Sequence, residues 1–425
     1  MKSPTVHHHG PTFPAVPRRT RATLLAASSL TVMAGAIVAP ALPQIGAAFA
    51  GQVPNPEFVA KMVLALPALA IALFAPVSGW IVDRFGCKRL LLAGLALYAA
   101  AGTSGLYLSD PYPILAGRLL LGVAVAMVMT ATSTLISFYF HGAERGRFLG
   151  FQATATVLGG VVFLPIGGLL ANFGDWQRPF VIYVASLPIL LAALRGVTEP
   201  DRGPLKSATG EALPVTGEYP LTVPWATLGL IYAVAFVGMA AFGVGPLQLP
   251  FHVAERFGVG PLVASLAVAT MTAHAALTSI FYGRLASRFG RDRLVAAFFV
   301  FLGTGFTVVG LAESPAVTYL GLAVAGLGGG LFTPTLMNWL MRTAPVRLRG
   351  RLTGGLISAM FAGQFLSPIL AQPVVDLGGP AAAFEACGLG MVALGAAYAA
   401  RTAWLHRPSR PTRDAVPAAE SLVNS

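Results

Sequence analysis

The sequence predicts an all-α membrane protein of twelve transmembrane helices in two pseudo-symmetric six-helix bundles, and three observations carry that prediction. Hydrophobic residues make up 56% of the 425 and charged residues 10%, against roughly 25% charged in soluble domains. Apolar runs of about 20 residues, the length that crosses a bilayer, recur along the chain between short charged connectors. The third is a repeat: "GWIVDRFGCKRL" at 79–90 returns as "GRLASRFGRDRL" at 283–294, an offset of 204 residues. One offset held across many helices marks a duplicated half.

Six spans fall in the first half, at 22–44, 58–82, 89–108, 112–137, 148–171 and 179–198. Six more follow at 224–250, 261–283, 293–312, 315–341, 352–373 and 380–404. The first run follows Arg18, Arg19 and Arg21 and precedes "GAAFA", as a cleaved signal peptide would. With so many spans behind it, the better reading is a retained first helix. Between the halves, "TEPDRGPLKSATGEALPVTGEYPLTVP" is polar and rich in Pro and Gly, which makes it a linker. The expected organisation is a tail at 1–21, a first bundle at 22–198, a linker at 199–223, a second bundle at 224–404 and a tail at 405–425. The offset is kept by Pro111 and Pro315, Gly117 and Gly321, Gly122 and Gly326, Arg145 and Arg349, Gly150 and Gly354, and Phe180 and Phe384.

The net charge of +12 does not argue for a nucleic-acid partner, because the basic residues lie in connectors and not along one face. Of the 28 Lys and Arg, only Lys61, Arg118, Arg178 and Arg256 fall outside the tails, linker and loops of one side. Short loops retain Lys and Arg on the cytoplasmic side. The expectation is a multi-pass protein of the plasma membrane with both termini cytoplasmic. Cys87 falls in a loop and Cys387 in the last helix, too far apart for a disulfide. The "HHH" at 7–9 sits in a Pro-rich tail, and the spans hold no metal-ligand cluster, Gly-rich phosphate loop or paired nucleophile and base. No metal, no cofactor and no enzymatic activity are expected.

Gly79, Asp83, Arg84, Gly86, Lys88 and Arg89, placed between the second and third spans, resemble the signature loop of the major facilitator superfamily. The resemblance covers about residues 22–404. It implies two bundles rocking about a central cavity, alternating-access transport of a small molecule, a lipid surround and a monomer. It also implies a conformational latch, in which Asp83 holds the start of the eleventh helix in the outward-facing state. A carboxylate near a helix N-terminus gains about 0.3–1 kcal/mol from the unpaired N–H groups and the dipole. Ser287 stands at the matching position of the repeat, and Cys87 stands where the family commonly has a basic residue.

Arg118 in "GRLLLG" (117–122) resembles the family's fourth-helix motif. An ionisable group in a span is a functional candidate by default, with snorkelling to the interface as the alternative. Gly159, Gly160, Pro165, Gly167 and Gly168, in "GGVVFLPIGG", resemble the Gly-Pro signature of the exporter branch, which departs here in Leu164 and in a spacing one residue short. Small residues at such spacing also serve plain helix packing. The connectors "ERGRFLG" (144–150) and "LRGRLTG" (348–354) set orientation.

Coupled transport needs a driving ion, and the resemblance makes protons the expected one. No carboxylate falls near a predicted midplane: Glu57, Asp110, Asp175, Glu255, Glu313, Asp376 and Glu385 all sit toward span ends. The remaining titratable candidate is His274, in a stripe with Thr270 and Thr278 at i, i+4 and i+8. It reads either as a proton carrier or as a structural histidine bonded to a neighbour. Further cavity candidates are Gln364, which shares a face with Phe361, and the stripe Tyr232, Phe236 and Met239. The expected activity is proton-coupled export of a small amphipathic drug or metabolite. The alternatives are import on the same fold and, from another class, a membrane receptor.

Overall fold

The computed structural model describes residues 16–173, 175–200, 224–345 and 348–405. The tail at 1–15, residues 201–223 of the expected linker, the tail at 406–425 and the side chain of Asp83 lie outside the described residues.

The first half holds α1 (Arg18–Ala36), α2 (Leu42–Ala48), α3 (Pro56–Phe85), α4 (Cys87–Gly102), α5 (Pro111–Tyr139), α6 (Gly142–Asn172) and α7 (Ser186–Gly196). The second holds α8 (Trp225–Phe257), α9 (Pro261–Phe289), α10 (Arg291–Gly310), α11 (Pro315–Thr343) and α12 (Arg349–Leu405). Among the described residues, eleven segments are long and apolar enough to cross a bilayer, and the last runs over 55 residues. A straight helix of that length would span about 80 Å at 1.5 Å per residue, far more than the ~30 Å hydrocarbon core. It is broken at Gly378 and Gly379, the latter at φ 73°, so α12 makes two crossings, at 349–377 and 380–405. The expected twelve crossings follow.

Three spans are not continuous α-helix, and the third closes in a 3₁₀ stretch at Thr103–Leu106. The first is interrupted by a 3₁₀ turn at Ala39–Ala41, because Pro40 supplies no N–H to the ladder. The sixth starts as a 3₁₀ stretch, Arg178–Ala185, before α7. There Phe180 and Tyr183 pack into places where Gly105 and Gly102 carry no side chain.

Local chemistry sets the ends. Asn55 accepts from the N–H of Phe58 (3.1 Å) and Asp110 from that of Tyr112 (3.0 Å), each just before a Pro at the first helical position. That pairing of a polar cap with Pro is the standard helix start. Gly86 and Gly290, one repeat apart, have φ of 104° and 75°. A side-chain-bearing residue would be strained there, and the two glycines turn α3 into α4 and α9 into α10.

Each half has its own apolar core. One is centred on residues such as Leu24, Leu91, Tyr98 and Leu135, the other on Phe298, Phe306, Leu322 and Trp339. The halves meet through α6 against α9 and α3 against α12. At the end carrying Phe173 and the 257–261 loop, the far end, the faces are shut. Gly168 lies directly on Ser265, and Lys61 hydrogen-bonds Gln372. Bonding between halves reaches inward to Ser358, whose Oγ donates to the Ala72 carbonyl at 2.9 Å. Beyond that, toward the signature loop, the seam between the halves loosens. Gly79, Gly283, Gly350 and Gly354 have no packed neighbour within 4 Å of a Cβ position. The structure is closed at the far end and splayed at the signature-loop end.

Candidate functional site

A cavity of about 400 Å³ lies between the halves. From the first half it is walled by Thr31, Val32 and Gly35 on α1, Leu64 to Ile71 on α3, Met129 on α5, and Thr156 and Leu164 on α6. The second half supplies Met239, Phe242 and Pro246 on α8, Met271 and Thr272 on α9, and Phe361 and Gln364 on α12. No Asp, Glu, Lys, Arg or His lies among these lining residues. The three Thr hydroxyls are already spent on their own helices: Thr31 donates to Ser28, Thr156 to Gln152 and Thr272 to Val268, all to backbone carbonyls. The Gln364 amide is the main polar group left for a guest. Three Met side chains and two Phe rings give an adaptable apolar wall.

Of the residues singled out in the sequence, Phe361, Gln364 and Met239 line this cavity. Thr270, His274 and Thr278 do not line this cavity. The lining face of α9 is 268, 271 and 272, one step around the helix. His274 Nδ1 lies 2.8 Å from the Thr270 carbonyl and its Cβ abuts Gly326 of α11; Thr278 donates to the His274 carbonyl. Tyr232 donates to the Leu352 carbonyl at 2.9 Å, and the Phe236 backbone meets Gly363. Both therefore join α8 to α12 within the second half.

Arg118 is fully buried and does not snorkel. Its Nε donates to the Val63 carbonyl (2.8 Å), one Nη to the Tyr183 hydroxyl (3.0 Å) and the other to the Ala34 carbonyl (2.6 Å). Tyr183 donates to the same Ala34 carbonyl at 2.8 Å. One guanidinium fork thereby joins α5 to α1, α3 and the 3₁₀ stretch before α7. Ala34, whose carbonyl it holds, is one of the residues that line the cavity.

The glycines of α6 divide into two rows. Gly159 faces Ser29 of α1 and Gly167 faces Ile37 just past the end of α1, inside the first half. Gly160 faces Thr272 as well as Val32, and Gly168 faces Ser265 and Pro261, so this row seats α6 on α9 across the halves. Pro165 stays inside the α6 helix next to cavity-lining Leu164.

At the signature loop, Arg84 and Arg89 are exposed, and Arg84 lies over the rings of Trp80 and Phe85. The N-terminus of α4 is held by a residue that sequence reading consigned to the linker. Glu199 accepts from the N–H of Cys87 (2.7 Å) and of Lys88 (2.8 Å), and Lys88 Nζ donates to the Leu194 carbonyl at 3.0 Å. The signal that could have found it is its place just past the sixth span, on the side where the loop lies.

Two six-crossing halves around a closed-ended, uncharged cavity define a multi-pass membrane protein of the two-bundle carrier fold. The sequence matches the Major Facilitator Superfamily over residues 24–248 and again over 228–424, and the chain belongs to that family. It is 24% identical over 269 residues to the quinolone resistance protein NorB of Staphylococcus aureus, a match that spans 61% of this chain and 56% of NorB, little more than half of that relative's length. It is 25% identical over 338 residues to the multi-drug resistance efflux pump PmrA of Streptococcus pneumoniae, covering 78% of this chain and 83% of PmrA. Among solved structures it is similar to a D-xylose–proton symporter, with a TM-score of 0.74 at 15% identity over 89% of this chain and 96% of that one. It is also similar to a bacterial homologue of the lysosomal transporter Spinster in an inward-facing, occupied conformation, at TM-score 0.69 and 16% identity over 92% and 98% of the two chains. At these identities the likeness is one of fold.

Proposed function

We propose that the protein is a secondary active transporter of the plasma membrane that exports small amphipathic compounds in exchange for protons. In this reading both ends of the chain are cytoplasmic, so the splayed end faces the cytoplasm and the far end the outside, and one chain works alone in the lipid. The observation that carries the reading is the cavity. Its apolar, Met-rich wall with one free amide suits neutral or weakly anionic aromatic compounds. It offers no carboxylate to a polycation. The names of the NorB and PmrA relatives support export, and the placing of Lys and Arg supports the orientation. Asp83, with Gly79, Arg84, Gly86 and Arg89, acts as the latch of the opposite, outward-facing state, and the open surroundings of Gly79 suit a latch that is disengaged here.

The test is uptake of the fluorescent quinolone norfloxacin into everted membrane vesicles energised by an inward-acid gradient, since an exporter loads such vesicles. Accumulation that a protonophore abolishes is expected. Accumulation that survives the protonophore removes the proton, and none for norfloxacin or a panel of neutral aromatic compounds removes the export reading.

A further inference from the structure

Lys61 entered the sequence reading only as an exception to the charge rule, yet it is fully buried at the seam between the halves. Its Nζ donates to Gln372 Oε1 at 3.3 Å and lies 4.9 Å from the centre of the Phe251 ring. Gln372 in turn donates through Nε2 to Asp376 Oδ1 at 2.6 Å. Lys61 is on α3, while Gln372, Asp376 and Phe251 all belong to the other half. Shifted by the 204-residue repeat, Lys61 and Gln372 become Ser265 and Gly168, the very pair that closes the second seam of the far end. One seam is shut by a hydroxyl on a glycine, the other by an amine on an amide. Only the second contains a group that titrates.

Such a group is costly to seal from water as a cation, and among the described residues no carboxylate is paired with it. The charged groups within electrostatic reach are Glu57, one turn back on α3, and Asp376 on α12; α8 presents the apolar Phe251 ring. One turn further along α3, Leu64 and Ala65 line the cavity. Lys61 therefore stands between the far-end surface and the cavity roof, enclosed when the seam is shut and released to outer water when the halves part there.

We propose that Lys61 is a proton-binding site of the transport cycle. Its amine takes one proton from the outer solution when the far end opens, and closure of the seam passes that proton to water in the cavity, which is then open to the cytoplasm. The amine returns neutral, and one proton has moved inward against one substrate moved outward. Gln372 serves either form, since amine and ammonium both donate to its oxygen. This rests on the proposed proton-coupled export, and its test is chosen to work without a substrate.

Spin labels at Gln52 and Leu377, both exposed at the far end, report its opening by pulsed distance measurement on the full chain in nanodiscs. In the otherwise native protein, a drop from pH 9 to pH 6 is expected to shift the population toward longer distances at least threefold. Lys61→Met removes the charge and should hold the short distance at both pH values. Lys61→Arg fixes the charge and should hold the long one. Glu57→Gln and Asp376→Asn should each retain a pH response. A Lys61→Met protein that keeps the native pH response overturns the proposal, as does a native far end that ignores pH. Should Lys61→Met fail to fold, retention of the native response by Lys61→Arg overturns it equally. A native pH response without norfloxacin transport would instead overturn only the export reading.

Discussion

Glu199 caps the helix that begins at Cys87: its carboxylate accepts the N–H of Cys87 at 2.7 Å and that of Lys88 at 2.8 Å. The chain end of the sixth crossing is thereby tied to the turn at Gly86, whose Cβ position the same carboxylate approaches at 2.9 Å. Replacing Glu199 with Ala removes the partner of two orphan N–H groups. The expected loss is about 1 kcal/mol, read as a lower Tm in detergent. Glu144→Ala breaks only the exposed Arg21 pair, for which little or no change is expected.

Adjacent glycines on α6 should fail differently. A side chain at Gly167 meets the Ile37 carbonyl inside the first half, whereas one at Gly168 meets Ser265 in the second. Gly167→Val should overpack its bundle, at a cost of about 1–3 kcal/mol, and lower the amount of folded protein. Gly168→Val should leave the fold standing and hold the far end apart. Reactivity of a cysteine placed at Ser265 toward a membrane-impermeant maleimide would rise in the second variant only.

Arg118 is expected to behave as a bolt of the first half. Lys has one ammonium where Arg offers a fork to three acceptors, so Arg118→Lys should lower Tm and abundance. Buried groups left unpaired cost about 1–3 kcal/mol each. Tyr183→Phe, which removes one acceptor of that fork and one donor to Ala34, should be milder.

The latch reading of Asp83 has a kinetic signature. Asp83→Asn should lower norfloxacin turnover severalfold while insertion and abundance stay native, because the neutral side chain holds a helix N-terminus less well. Native turnover in that variant would remove the latch.

Much of the fold is legible because it depends on quantities that sequence carries directly. Apolar length gives the crossings, and the 204-residue offset pairs Gly86 with Gly290 and Asp110–Pro111 with Ser314–Pro315. The rotation of each helix is harder to read. In a bilayer the lipid face is as apolar as the core face, so a helix shows no strong periodicity, and a stripe such as Thr270, His274 and Thr278 stands out only by polarity. Those hydroxyls satisfy themselves on their own helix, and the cavity takes the neighbouring face with Met271 and Thr272 instead. Lys61 and Glu199 went unread for another reason: their partners lie 311 and 112 residues away. Only the tertiary fold brings them together.

The most direct test of the central claim is norfloxacin accumulation in efflux-deficient cells that express the protein, with and without a protonophore. The account predicts lower accumulation than in cells with an empty vector, restored to the vector level by the protonophore. Accumulation above the vector level, or lowered accumulation that the protonophore leaves in place, would contradict it.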